Sequence, residues 1–217
     1  RSNDPEVAER ILAEGSADMV SMARPLLADA EFVTKAGEGR AAEINTCIAC
    51  NQACLDHVFS RKVASCLVNP RAGHETELVL APAALRKRIA VVGAGPAGLA
   101  CATTLAERGH DVHLFESASE IGGQFNMAKR IPGKEEFAET LRYFGGKVHE
   151  TGVTLHLGVR AGASELIAEK FDEVVLATGV VPRDPRIPGQ DHPMVLSYVD
   201  VLLRGKPVGK TVAVVGA

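Results

Sequence analysis

VVGAGPAGLACATTLAERGHDVHLFE, residues 91–116, carries Gly93, Gly95 and Gly98 in the spacing G-x-G-x-x-G. An apolar segment, RIAVV, precedes the glycines, and an uncharged run that can form a helix follows them. The next strand-like segment ends at Glu116, 21 residues after Gly95. Strand, glycine turn, helix, strand and terminal acid form the context that a dinucleotide fingerprint requires. Gly93 makes the turn, Gly95 lets the backbone approach a pyrophosphate, and Gly98 lets helix and strand pack closely. The helix N-terminus, with the amides of Ala97 and Gly98, is the phosphate site, and the Glu116 carboxylate suits ribose hydroxyls. A glycine turn kept for packing alone would not need the acid.

The uncharged run Ile89–Ala106 is long enough to raise the question of a membrane helix. Gly93, Gly95, Pro96 and Gly98 break it near its start, so a strand, a turn and a buried helix are expected. The whole chain has 217 residues, a net charge of −3 and 46% hydrophobic residues. That is a composition able to bury a core, and the charge balance leaves no electrostatic footprint for nucleic acid. No basic amphipathic stretch points to a membrane surface, and no signal peptide is visible, so a cytoplasmic setting is expected.

Further along, EIGGQF places Gly123 and Gln124 a few residues after the acid, and VVLATGVVPR ends a later strand at Ala177, Thr178 and Gly179. A second glycine pair and an A-T-G strand end look like the FAD domain of two-dinucleotide flavoproteins. KTVAVVGA, from Lys210, then looks like the first strand of a pyridine-nucleotide domain.

Upstream, SNDPEVAERILAEG is expected as a helix capped by Asn3 or Asp4, with Pro5 in its first turn and Gly15 at its exit. ADMVSMA (residues 17–23) is expected as a short buried strand, and the segment from Arg24 to Arg40 as a loop leading into a helix. Helix, strand, helix is one repeat of an α/β fold. With no initial Met and a final glycine turn, the chain is expected to be an internal piece of a longer polypeptide.

Between these parts lie Cys47, Cys50, Cys54 and Cys66, in the spacing C-x2-C-x3-C-x11-C. In a reducing compartment such clustering points to metal rather than disulfide. Three thiolates in a short loop and a fourth from a later turn suit an iron–sulfur cluster or zinc. Structural zinc usually uses two C-x2-C knuckles, and only one is present. A mixed Cys47, Cys50, Cys54, His57 site and a set of buried unliganded thiols are the other readings. Cys101, in the helix after the glycine turn, is expected in the core. His57 and His74 are expected to pack or hydrogen-bond beside the cysteine loop rather than to catalyse.

ADMVSMARPLLAD, INTCIACNQACLDHVF, SCLVNPRAGHE, GAGPAGL, IGGQFNMAKRIPGKEEF and LSYVDVL together resemble the bacterial 2,4-dienoyl-CoA reductases. These belong to a group with trimethylamine dehydrogenase, in which an Old Yellow Enzyme-like barrel joins a 4Fe–4S segment and an FAD/NAD(P)H module. The resemblance implies an α/β protein with four parts. Residues 1–46 would be the C-terminal end of an FMN-binding TIM barrel, and 47–85 the 4Fe–4S segment and linker. Residues 86–210 would be a Rossmann-like FAD domain, and 211–217 the start of an NAD(P)H domain. It implies that Ala23 and Arg24 hold the FMN phosphate, with Arg1 also reaching FMN. It implies that the four cysteines ligate the cluster, and that Ala97, Glu116 and Gln124 contact FAD, with Lys134 and Ala161 as lesser contacts. The implied partners are small molecules: NADPH and an acyl-CoA substrate. The implied reaction passes electrons from NADPH through FAD and the cluster to FMN and on to a dienoyl thioester. The catalytic acid and the substrate pocket belong to earlier barrel strands, so no catalytic residue is assigned here. A related enone or enoate reductase, an amine dehydrogenase, and an electron-transfer or diaphorase module serving a partner protein are the alternatives.

Overall fold

The computed structural model describes residues 3–216. The FMN role assigned to Arg1 falls outside them. In chain order the regular elements are α1 (Pro5–Ala13), α2 (Arg24–Ala28), α3 (Phe32–Gly37), a 3₁₀ turn (Ala41–Glu43) and α4 (Leu55–Phe59). Then follow β1 (Arg88–Val92), α5 (Pro96–Glu107), β2 (Asp111–Glu116), α6 (Phe125–Ala128) and α7 (Phe137–Glu150). The last are β3 (Thr154–Leu157), α8 (Ala163–Ala168), β4 (Glu173–Leu176) and α9 (Tyr198–Leu202).

The four strands make one parallel sheet in the order β3-β2-β1-β4. Val91 in β1 pairs with Leu114 in β2 and with Val175 in β4, so β1 is central. Its interior residues Ile89, Ala90 and Val91 are buried, as a strand covered on both faces requires. Leu99 and Ala102 of α5 and Val148 of α7 pack with Ile89, Val91, Val112 and Leu114 into the main core. The chain steps from β1 to β2 on one side and places β4 on the other. The crevice at the carboxyl ends of β1 and β4 is therefore a topological switch point, where ligands bind in open α/β sheets. The run from Ile89 divides into β1, the turn and α5, as expected. Among the described residues no helix is long and apolar enough to cross a membrane.

The helix from Pro5 forms, with Asp4 accepting the Glu6 amide at 2.9 Å as its cap. Gly15 leaves it at φ +67°, where glycine is favoured. Asn3 does not cap; its amide reaches the Cys47 carbonyl at 3.2 Å.

Three expectations are corrected. Residues 17–23 form no strand, and Met19 is 80% exposed. The described part of KTVAVVGA forms none either, with Val214 86% exposed. The reason is the same in both places: an extended apolar run becomes a strand only against a neighbour, and no described strand lies beside either one. Third, Arg24 opens a helix directly, so α2 and α3 replace the loop and helix expected there. Among the described residues, residues 3–46 thus hold helices and irregular chain and no strand. Lys134 lies three residues before the start of α7.

Candidate flavin turn and cysteine pocket

The glycine turn sits where β1 delivers it. Gly93 has φ +106°, and a Cβ there would press on the carbonyl of Ala177, with the carbonyl carbon at 2.8 Å and Thr178 Cα at 3.2 Å. A Cβ on Gly98 would collide with the Gly93 carbonyl oxygen and lie 3.3 Å from Ala177 Cβ. Both glycines are thus fixed by close backbone approach, and the A-T-G strand end closes directly onto the turn. Ala177 itself is held by its N–H to the Val92 carbonyl at 2.8 Å. Thr178 and Gly179 continue from that contact, Gly179 at φ +74°.

Gly95 differs. A Cβ there would meet nothing within 4 Å, so the turn is open on that side. Gly95 is also the N-cap of α5, and no side chain caps it. The first amides of α5, Ala97 and Gly98 among them, are therefore free for an anion in front of the helix. Glu116 closes the other flank. Its Oε2 accepts the Ala94 N–H at 2.9 Å and its Oε1 accepts the Ala118 N–H at 2.8 Å. Oε1 also accepts the Ser117 hydroxyl at 3.2 Å, so it is Oε2 that keeps a lone pair for a further donor.

The second glycine pair folds back onto the first. The Gly122 N–H donates to the Ala94 carbonyl at 2.8 Å, and a Cβ on Gly123 would lie 3.1 Å from Gly95 Cα. Gln124 donates from Nε2 to the Val180 carbonyl at 2.9 Å, tying this loop to the chain after β4. Gly93, Gly95, Ala97, Gly98, Glu116, Gly123, Gln124 and Ala177 are therefore brought together. An open glycine, an uncapped helix start and an oriented acid fit the pyrophosphate and ribose of a dinucleotide.

Two lesser positions are placed apart from the turn's own contacts. The Lys134 ammonium lies 5.9 Å from the centre of the Phe137 ring. Ala161 follows β3 in a loop whose Val159 N–H donates to the Glu116 carbonyl at 2.9 Å. That bond makes Ala161 a near neighbour in sequence of a contact to the acid's own backbone.

Cys47, Cys50, Cys54 and Cys66 line one small pocket together with Arg24 and Asn51. The fold brings the fourth cysteine in through the Ser65 N–H, which donates to the Ala53 carbonyl at 2.7 Å. Within the C-x2-C-x3-C loop, Ala49 (φ +55°) and Asn51 (φ +62°) both adopt the left-handed conformation. Left-handed residues interleaved with ordinary ones turn successive N–H groups toward one point, the concavity that binds anions and iron–sulfur clusters. For Ala49 this conformation is strained, and such strain concentrates at functional sites. Burial pushes the Cys66 thiol above its usual range; the Val68 and Asn69 backbone amides oppose this, and nearby Cys47 and Cys50 add to it. A thiol so placed ionises readily only when a cationic centre compensates. Among the described residues, no three His, Cys, Asp or Glu side chains converge as they would around a single metal ion.

The histidines stand aside. His57 Nδ1 lies 3.0 Å from the Val63 carbonyl, and His74 Nδ1 lies 3.1 Å from Glu77 Oε2. Neither lines the four-cysteine pocket, and both line a second, more open pocket that Cys66 shares. Cys101 is half-buried and packs against the main core. Arg24 donates from Nη1 to Asn51 Oδ1 at 2.5 Å, inside the pocket of cysteines. Ala23 is the exposed residue before α2.

Residues 87–217 match the family described as pyridine nucleotide-disulphide oxidoreductase. The chain belongs to that family. The pyridine nucleotide-disulphide oxidoreductase match covers the sheet, the glycine turn and Glu116. Residues 1–43 match a second family, NADH:flavin oxidoreductase / NADH oxidase. These two descriptions imply flavin and nicotinamide cofactors. The chain is 41% identical to a metal reductase of Desulforamulus reducens, over all of this chain and 33% of that protein. It is 42% identical to an NADH oxidase of Thermoanaerobacter brockii, over 92% of this chain and 31% of that protein. It therefore spans about a third of the length of these curated relatives. Among solved structures it is similar to 2-naphthoyl-CoA reductase in complex with 2-naphthoyl-CoA. There the TM-score is 0.92 at 41% identity, over 96% of this chain and 32% of that one. It is also similar to 6-hydroxypseudooxynicotine amine oxidase of Pseudomonas geniculata, with a TM-score of 0.83 at 32% identity over 94% of this chain and 33% of that one.

Sequence reasoning missed Arg142. On α7, it donates to the Ile44 carbonyl at 2.7 Å and to Thr46 Oγ1 at 3.2 Å, and also to the Ala42 carbonyl. Its partners lie about a hundred positions away, so no local pattern marks it.

Proposed function

We propose that this chain is the flavin-and-cluster core of a reductase that takes electrons from NADPH and delivers them to a 2,4-dienoyl-CoA thioester. The observation that carries this reading is the sharing of one pocket by Cys47, Cys50, Cys54 and Cys66, in a chain that also builds an open dinucleotide turn. When bound, FAD would supply hydride chemistry, and a 4Fe–4S cluster would supply one-electron transfer onward to FMN. A tetrahedral zinc site would draw four ligands to within about 2.3 Å of one ion. The single C-x2-C knuckle within C-x2-C-x3-C-x11-C, where structural zinc usually uses two, supports a multi-iron cluster instead.

The residues of the chain then have distinct tasks. Gly95 and the start of α5 receive the pyrophosphate, and Glu116 orients the ribose. The four thiolates hold the iron, while the Val68 and Asn69 amides hydrogen-bond the Cys66 sulfur and temper its charge. Hydrogen bonds to cluster sulfurs are among the features that set reduction potential. Arg24 places a cation against the same pocket. The FMN phosphate role of Ala23 and Arg24 belongs to this proposal and is supported by the family match over residues 1–43.

The substrate class is supported by likeness to proteins whose names specify conjugated acyl compounds. These are 2-naphthoyl-CoA reductase and, at 35% identity over the whole of this chain, the cinnamate reductase of Clostridium sporogenes. A second reading, oxidation of an amine, is favoured by the likeness to the amine oxidase, at lower identity and TM-score. The test is anaerobic NADPH oxidation by the full-length enzyme with a 2,4-dienoyl-CoA or cinnamate as acceptor, set against reduction of an artificial acceptor with dimethylamine as the electron donor in place of NADPH. Turnover with the dienoyl thioester is expected. Turnover with the amine, or only with an artificial acceptor, would replace the proposal with the amine or diaphorase alternative.

A further inference from the structure

Helix α7 touches both halves of the site through adjacent residues. Leu141 faces the flavin turn: a Cβ on Gly122 would lie 2.8 Å from Leu141 Cδ1. Arg142 faces the cysteine segment. Its guanidinium spans three acceptors, from residues 42, 44 and 46, while Glu139 Oε2 holds its Nε at 2.6 Å. Ala42 sits in the 3₁₀ turn and Ile44 follows it, so the guanidinium bridges the end of that turn and the chain leading to Cys47. The last acceptor, Thr46, is bonded directly to Cys47.

The same segment is fixed from other directions. The Asn45 N–H donates to the buried Asp29 carboxylate at 2.9 Å, and that carboxylate also meets Lys35 Nζ at 2.7 Å. The Asn45 side chain donates to the Val68 carbonyl at 2.8 Å, two residues after Cys66. Ile44 is 1% exposed. Residues 44–46 are thus held to the Cys66 turn and to α7 at once. A shift of α7 is transmitted to Cys47 and Cys66 together.

We propose that Arg142 is a positioning residue. It fixes the cysteine pocket relative to the flavin turn and so sets the rate of electron transfer between them. This rests on the relay described under Proposed function. Electron transfer between held centres weakens steeply with separation, so a small loosening of this tie changes the rate without touching either cofactor. Lysine keeps the charge but lacks the planar fork that spans three acceptors.

The test uses the full-length holoenzyme with Arg142→Lys, at matched FAD and iron content. Rapid mixing with NADPH should bleach FAD at the wild-type rate, and dithionite should reduce the cluster fully. Reduction of the cluster by NADPH should slow by about 10–100-fold, the range found when groups supporting a metal site's ligands are removed. Amide hydrogen exchange at residues 44–48 should accelerate. Should Arg142→Lys lose FAD or iron, Thr46→Val removes one acceptor alone and should show the same pattern more weakly. Cluster reduction at the wild-type rate in both variants overturns the proposal. A wild-type cluster that NADPH never reduces instead overturns the relay and with it the kinetic role of Arg142. In that case the exchange measurement still decides whether Arg142 holds the segment: unchanged protection in the variants would overturn that too.

Discussion

Cys50→Ser in the full-length enzyme should abolish substrate reduction while leaving NADPH oxidation at FAD intact. Cys50 lies between Ala49 and Asn51, the two left-handed residues that shape the pocket. A serine oxygen is a poorer partner for iron than a thiolate, so the cluster should be lost or unstable. The sheet that carries the flavin turn is built from residues 88–176 and takes no support from that thiol. Rapid mixing with NADPH should then bleach one flavin and leave the other oxidised, and an artificial acceptor should still be reduced. Reduction of both flavins at the wild-type rate would make the cysteine pocket structural. Loss of FAD reduction would show that the pocket supports the flavin fold, returning the structural-metal alternative.

The second large effect separates two glycines three residues apart. Gly98→Ala drives its Cβ into the Gly93 carbonyl oxygen, a backbone atom that cannot move without opening the turn against Ala177. Overpacking of this kind typically costs about 1–3 kcal/mol and sometimes more. The variant should therefore melt well below the wild type. Gly95→Ala meets open space at an ordinary φ of −74°, so its melting without flavin should fall only by the modest cost of alanine at a helix N-cap. The added methyl lies where the pyrophosphate approaches, so FAD should be lost on desalting. Thermal unfolding of the flavin-free proteins, with FAD retention measured separately, checks both halves. Equal destabilisation by the two, or full FAD retention in Gly95→Ala, would remove the dinucleotide assignment of the turn.

The contrast between those glycines was readable in the sequence because the fingerprint is local. Strand, turn, helix and acid lie within residues 88–116, and each residue type answers a nearby geometric demand. Glu116 illustrates this, since its carboxylate accepts the N–H of Ala94 in the turn, 22 residues earlier, and that of Ala118, two positions on. The cysteine pocket was readable for the same reason, through spacing alone. What escaped was non-local. The apolar runs around Met19 and Val214 have strand composition, but composition does not supply a neighbouring strand. β4 has partly exposed residues too, yet it forms because β1 lies beside it. The hydrogen bond from Arg24 to Asn51, 27 residues later, is non-local in the same way. Arg142 is a surface-type residue on an amphipathic helix until the chain folds and sets the 42–46 segment against it.

Metal analysis of the anaerobically purified full-length protein tests the four-cysteine cluster most directly. Iron and acid-labile sulfide should be present at roughly four each per chain, as a 4Fe–4S centre requires. Both should fall together in variants of Cys47, Cys50, Cys54 or Cys66, and neither in Cys101→Ser. A single zinc per chain, with no sulfide and with the same dependence on the four cysteines, would contradict the relay and leave the pocket a structural metal site.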